Sequence, residues 1–242
     1  MDLKIKDVAE LLNVSEKTIR RWLADGKIPA YRLNAQYRFN RIEIENWVMA
    51  CKLRNQPEFL TLAAEAEVER KSIEQAEEPR GGMQRFSLYR SVHKGGVFDD
   101  ISGETKEAVI KNTVERISPT LGRDPEVLTE LLLYRERLMP TALNHGIGLP
   151  HSRELVCDES NDVAVIVFPQ RAIPYGALDG EPVHTLFFLF ASGDKSHLHL
   201  LAKIANLAST QAARDFLSSR PSKIQALEYI RNWETSAPEF SK

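Results

Sequence analysis

Two cysteines, Cys51 and Cys157, are all that 242 residues contain, and their separation matches no metal-ligand or disulfide-framework spacing. That excludes a stapled secreted scaffold and fits two reduced structural thiols in a cytoplasmic protein. Long apolar runs are missing too. None approaches the ~20 residues that a bilayer-crossing helix requires, so no membrane insertion is expected. Met1-Asp2-Leu3-Lys4-Ile5-Lys6 runs straight into a polar amphipathic segment, without the apolar stretch of a signal peptide. Gly and Pro are few, at 12 each, which argues against a low-complexity chain. With 43% hydrophobic and 27% charged residues, the composition is that of a globular protein.

An overall excess of charge is also lacking, since the net value is only −2. The balance conceals an asymmetry. Through Arg54 there are 11 basic against 7 acidic residues, and beyond it 21 basic against 27 acidic. A basic head on an acidic body implies two domains with different partners, the head's a polyanion.

Pattern and punctuation divide the chain further. Residues 1–52 hold short amphipathic helices and a hairpin. Residues 53–85 are rich in Glu and Ala, a charged helical linker that Pro79, Gly81 and Gly82 end. Its thin apolar stripe fits a solvated spacer, with a dimerising helix as the alternative. From 86 to 233 helical spacing (Val109, Ile110, Val114, Ile117; then Leu128, Leu131, Leu132) alternates with the short apolar runs Val163–Phe168 and Leu186–Phe190, which read as buried strands. That alternation predicts an α/β layered domain with a central mixed sheet flanked by helices. Residues 234–242 are expected to form a tail.

In the head, Val8, Ala9, Leu11 and Leu12 mark one face of a first helix, and Asn13 can end it. Ser15 can cap a second helix, with Ile19, Trp22 and Leu23 inward and Lys17, Thr18, Arg20 and Arg21 outward. Two helices across so tight a turn make a helix-turn-helix whose second helix enters the DNA major groove. Ala30–Leu33 and Gln36–Phe39 form a two-stranded wing across Asn34-Ala35, and Arg32 and Arg38 on it can reach phosphates. Asn40 and Glu43 open a third helix. Trp22, Tyr37, Phe39 and Trp47 supply the small core. The order helix, turn, helix, Lys27-Ile28-Pro29-Ala30-Tyr31-Arg32, Arg38-Phe39, then a helix carrying Trp47 resembles the excisionase and MerR-like winged helix-turn-helix family. That resemblance implies a small, mostly α domain with DNA as its partner, contacted through the second helix and the wing.

In the body, Gly146-Ile147-Gly148-Leu149-Pro150-His151-Ser152 puts an imidazole after a Gly-rich turn and a proline, as at a loop tip. His197 and His199 open a later helix. On residue chemistry alone these histidines could be metal ligands, a general base or phosphoryl acceptors. Four ordered segments narrow the choice: Val97–Asp100 with Thr105–Glu107, Arg135 through His151, Tyr175–His184, and His197–Ala205. Together they resemble the fructose/mannitol and nitrogen-type enzyme IIA family of the sugar phosphotransferase system. The resemblance makes His151 the phosphoryl acceptor, His197 the second active-site imidazole and Arg135 the cation beside them. It implies the phosphocarrier protein HPr as donor, in some members a IIB component as recipient, and neither metal nor cofactor. Ala142, Asn144 and Ser152 stand where the family often has smaller residues, and Asn144 could still take a turn conformation.

The expected function is therefore a phosphorylation-sensitive transcriptional regulator. The alternatives are a transport phosphocarrier whose head docks to protein, or a partner-binding module without chemistry. Pairing of two copies is compatible with readers of paired half-sites.

Overall fold

The computed structural model describes residues 2–12, 14–34, 36–53, 86–152 and 162–236. Asn13, Ala35, Cys157, the linker beyond Leu53 and the tail from 237 lie outside the described residues.

The head follows its local signals. Helix α1 (Ile5–Leu12) buries Val8, Ala9 and Leu11. Ser15 caps α2 (Glu16–Ala24), its hydroxyl accepting the Thr18 amide at 3.1 Å. Strands β2 (Tyr31–Leu33) and β3 (Gln36–Asn40) pair antiparallel, with Asn34 at φ 48° in the turn between them. A short strand β1 (Asp2–Leu3), not foreseen, takes the other edge of β3. The Asn40 side chain accepts the Ile42 amide at 2.9 Å and so starts α3 (Arg41–Leu53). Trp22 and Trp47 close the core with ring centroids 5.6 Å apart.

The body is built on a five-stranded mixed sheet in the order β4-β7-β8-β6-β5: β4 (Val97–Ile101), β7 (Val163–Pro169), β8 (Thr185–Phe190), β6 (Ile147–Gly148) and β5 (Ala142–Leu143). β4 runs parallel to β7 and β6 parallel to β8, while the central β7–β8 pair is antiparallel, Val163 opposite Phe190. Both central strands are buried throughout. Alternation sends Val163, Val165 and Val167 to one face and Ala164, Ile166 and Phe168 to the other. The first face packs on α5 (Lys106–Leu121) and α6 (Pro125–Leu138). The second is covered by α4 (Ser87–Gly95), α7 (Asp194–Ser209), α8 (Gln211–Ser218) and α9 (Lys223–Ser236).

Three details depart from expectation. Helices α4 and α8, each no shorter than α1, and the two-residue strands β5 and β6 were not foreseen. Helix α9 runs to Ser236, past the boundary placed at 233. Its Glu234 is buried, bonded to Lys203 and accepting the Leu88 and Tyr89 amides that begin α4. Finally, head and body are not separate beads. Helices α1 and α3 pack along α7, and the two apolar interiors form one continuous cluster.

Candidate functional site

The segment carrying His151 is held from both sides. Gly146, at φ +72°, makes the preceding turn, where a Cβ would lie 2.4 Å from the His184 ring. The left-handed positions are His145 and Gly146 rather than Asn144. The Leu149 amide donates to the Thr141 carbonyl at 2.9 Å and the Leu189 amide to the Pro150 carbonyl at 3.0 Å, so His151 continues the sheet beside β8. Its Nδ1 lies 2.7 Å from the Leu149 carbonyl. A carbonyl only accepts, so Nδ1 carries hydrogen and Nε2 is left to face the site.

From the end of β8 the chain turns through Ala191–Gly193 into α7, whose first turns bring His197 against His151. The rings stand edge to face, centroids 5.2 Å apart. Asp162 anchors that turn through the Ser192 amide and the Ser192 and Ser196 hydroxyls. Burial holds the His197 imidazole below its ordinary value of 6.5. Its Nε2 is buried with no hydrogen-bond partner among the described residues.

Arg135, near the end of α6, is only 2% exposed. It donates to the Met139 carbonyl at 2.9 Å, and its charge acts on His197. Beneath it, buried Glu136 accepts from the Thr141 amide and hydroxyl and from Tyr175, at 3.0 Å for the latter. Burial raises the Glu136 carboxyl against those bonds. Thus the rings of His151 and His197, distant in sequence, are in contact, and Arg135 is near enough for its charge to reach His197.

One expectation is corrected here. His151 is not at an open loop tip; it is 0% exposed. The head covers it. Glu45 of α3, itself 0% exposed, brings a carboxylate oxygen to 3.9 Å from His151 Nε2. The neighbouring turns of α3 complete the lid. Arg41 donates to the other Glu45 oxygen at 3.1 Å and grips Asp194, at the start of α7, with both Nη atoms. That grip holds the Asp194 carboxyl below its ordinary range. Asn46 accepts from Arg135 at 3.4 Å and donates to the Met139 sulfur at 2.8 Å. The ligand atoms of Glu45, His151 and His197 lie within 4.8 Å of one another, a set whose chemistry could also hold a cation.

Sequence inspection missed Arg41, Glu45, Asn46 and Asp194. The available signal was the spacing Arg41, Glu45, Met49, which puts a charged pair and an apolar group on one side of α3.

On α2 and the wing, Lys17, Arg20, Arg21 and Arg32 are exposed and Arg38 half-exposed. Arg20 pairs with Glu16 at 3.3 Å, Arg32 lies over the Tyr37 ring, and Arg38 donates to Gln36 at 2.8 Å. Thr18 is the exception. It is 1% exposed and its hydroxyl bonds to Ser15 at 2.9 Å, so it belongs to the cap and not to the outward face. Among the other histidines, exposed His145 donates its amide to Asp179 at 2.6 Å, His184 meets Thr185 and His199 meets Ser87.

Residues 91–233 match the family described as "Phosphoenolpyruvate-dependent sugar phosphotransferase system, EIIA 2", and residues 3–52 match "Helix-turn-helix domain". A nitrogen regulatory protein of Pseudomonas aeruginosa is 30% identical over 125 residues, which is 50% of this chain and 80% of that protein. The transcriptional repressor DcmR of Methylorubrum extorquens is 48% identical over 48 residues, 19% of this chain and 18% of that one. Among solved structures, nitrogen regulatory protein IIA-Ntr from Neisseria meningitidis superposes with a TM-score of 0.51 at 22% identity, covering 57% of this chain and 93% of its own, a likeness of fold. Among the described residues no helix is long and apolar enough to cross a membrane.

Proposed function

The chain belongs to the phosphotransferase-system EIIA 2 family and carries a helix-turn-helix domain, and from that premise we propose that it is a DNA-binding regulator governed by phosphorylation of His151. The observation that carries the proposal is the lid: the helix that completes the head lies directly on the imidazole that would take the phosphoryl group. Chemistry in the body therefore cannot proceed without a change in how the head is held.

The parts divide as follows. Residues 1–52 read DNA, α2 entering the major groove with Lys17 near its N-terminus while Arg20 and Arg21 of that helix and Arg32 and Arg38 of the wing meet phosphates. Residues 86–233 accept phosphate. His151 Nε2 is the nucleophile, its Nδ1–H fixed by the Leu149 carbonyl. A transferring phosphoryl group is nearly all charge, so catalysis consists of positioning and electrostatic stabilisation. Arg135, His197 and the N-terminus of α7 supply both. The donor is a phosphorylated HPr-like carrier. Two names bear on the assignment: one relative is a nitrogen regulatory protein, and another, alike only across the head, is a transcriptional repressor.

The test is incubation with phosphoenolpyruvate, enzyme I and HPr. Acid-labile label on the wild type and none on His151→Ala is expected, together with a change in DNA retention on labelling. The complete burial of His151 favours a second reading, a partner-binding module without chemistry. Absence of label on both proteins would establish that reading instead.

A further inference from the structure

Glu45 is an unusual residue to find fully buried. A carboxylate taken from water costs several kcal/mol unless charges and donors replace its hydration. Arg41 of the same helix donates to one of its oxygens, and the other lies against the body. The second oxygen lies 3.9 Å from His151 Nε2, and Arg135 of the body is near enough for its charge to act on His197 beside them, while the opposing negative charge of Asp194 is taken up by Arg41. Helix α7 begins there as well, with its partial positive charge. This is a pocket made for an anion, and the anion it holds is the head's own.

We propose that Glu45 is an internal stand-in for the phosphoryl group: the carboxylate of α3 and a phosphoryl group on His151 compete for one anion site, so the head docks only on the unphosphorylated body. The inference rests on His151 being the acceptor, as argued above.

Geometry makes the two occupants exclusive. A phosphoryl group bonded to Nε2 puts its oxygens only two bonds from that nitrogen, in the space next to it. Glu45 Oε2 stands only 3.9 Å away. The two sets of oxygens would compete for the same space, and a group bearing about −1.5 to −2 charges would face a carboxylate at close range. Turning Glu45 aside by itself would give up its bond to Arg41 while the next residue, Asn46, stays tied to Arg135. Helix α3 must leave as a unit.

The order of events follows. The head lifts, exposing His151. The Nε2 lone pair attacks the phosphorus of the donor's phosphohistidine, the donor's P–N bond breaks, and its electron pair returns to the donor imidazole. One P–N bond forms as one is lost, and the Nδ1–H of His151 stays on the Leu149 carbonyl. The head then finds its site occupied and stays off until the phosphoryl group departs. Face α2 looks outward in the docked form, so the switch acts on how the DNA-reading helix is held relative to the body rather than on whether it is covered.

The experiment uses full-length wild type, Glu45→Gln and Arg41→Gln, with two readouts. Hydrogen exchange of the first turns of α7 and of α3 reports docking without any phosphoryl donor. The initial rate of His151 labelling by phosphoenolpyruvate, enzyme I and HPr reports access. Expected are faster exchange in both variants, labelling accelerated about tenfold or more in Glu45→Gln, and in wild type faster exchange of both segments after labelling. Arg41→Gln leaves Glu45 and His151 intact, so it answers the question if Glu45→Gln fails to fold. Label on His151 with equal rates in all three proteins, or protection unchanged by labelling, overturns the stand-in while leaving the acceptor standing. No label on any of them removes the acceptor and the stand-in together. Protection that tightens with zinc and is lost with a chelator also overturns the proposal, because Glu45, His151 and His197 would then serve a cation.

Discussion

The chain meets anions in two places by opposite means. On α2 and the wing the cations lie at or near the surface, Arg20 paired with Glu16 and Arg38 with Gln36. Around His151 the groups are buried and locked by backbone carbonyls, strand pairing and the lid of α3. Exposed cations act through released counterions, so their effects add up, tolerate replacement and fade with salt. Buried groups act through geometry in a low dielectric, where one misplaced partner is felt in full. The first face suits a long polyanion and the second a single transferable charge.

The largest effect that would sharpen this contrast lies at Arg135. Replacing it by Met should slow His151 labelling by roughly 10²–10³-fold, the scale of losing one preorganised charge donor. Lys should restore only part of the rate, since it keeps the charge without the planar fork. Neither change should alter the salt dependence of DNA retention. Equal labelling in all three proteins would break the comparison.

A smaller effect is expected on the exposed side. The double change Arg20→Ala, Arg21→Ala should weaken DNA binding by about tenfold at moderate salt and reduce the salt slope by roughly 1.8. Labelling of His151 should not change. An unaltered slope in a salt titration would show that α2 does not face the phosphates.

The smallest concerns pH. Burial lowers the His197 imidazole below 6.5, with Glu45, Arg41, Asp194 and Arg135 as the charges around it. Above pH 6.5 it is neutral folded and unfolded, and contributes nothing. As pH falls below 6.5 the unfolded chain takes the proton first, so stability drops until the depressed value is reached. Glu136, raised above 4.5 by burial, acts in the opposite sense as pH climbs from 4.5. Comparing melting temperatures of wild type and His197→Gln from pH 7.5 to 5.5 isolates the histidine: the wild type should lose more. Parallel curves would mean that His197 is not held neutral.

Legibility followed the same divide. Local signals were good guides where a residue answers to its own neighbours. Ser15 and Asn40 start their helices, and the unbroken apolar runs of β7 and β8 are the sheet's centre. They failed where a residue answers to a distant partner. Thr18 sits at an outward-looking spacing on α2 but turns in to bond the hydroxyl of the capping Ser15. Glu45 looks like any solvent-facing carboxylate on an amphipathic helix until the body is placed against it.

Which elements form, and which histidine the glycine-rich turn presents, are properties of short stretches, because caps, turn residues and hydrophobic period act over a few positions. Whether that histidine is open could be decided only in three dimensions. Its cover comes from residues about a hundred positions earlier, and a buried carboxylate there is costly unless a cation such as Arg41 is held beside it.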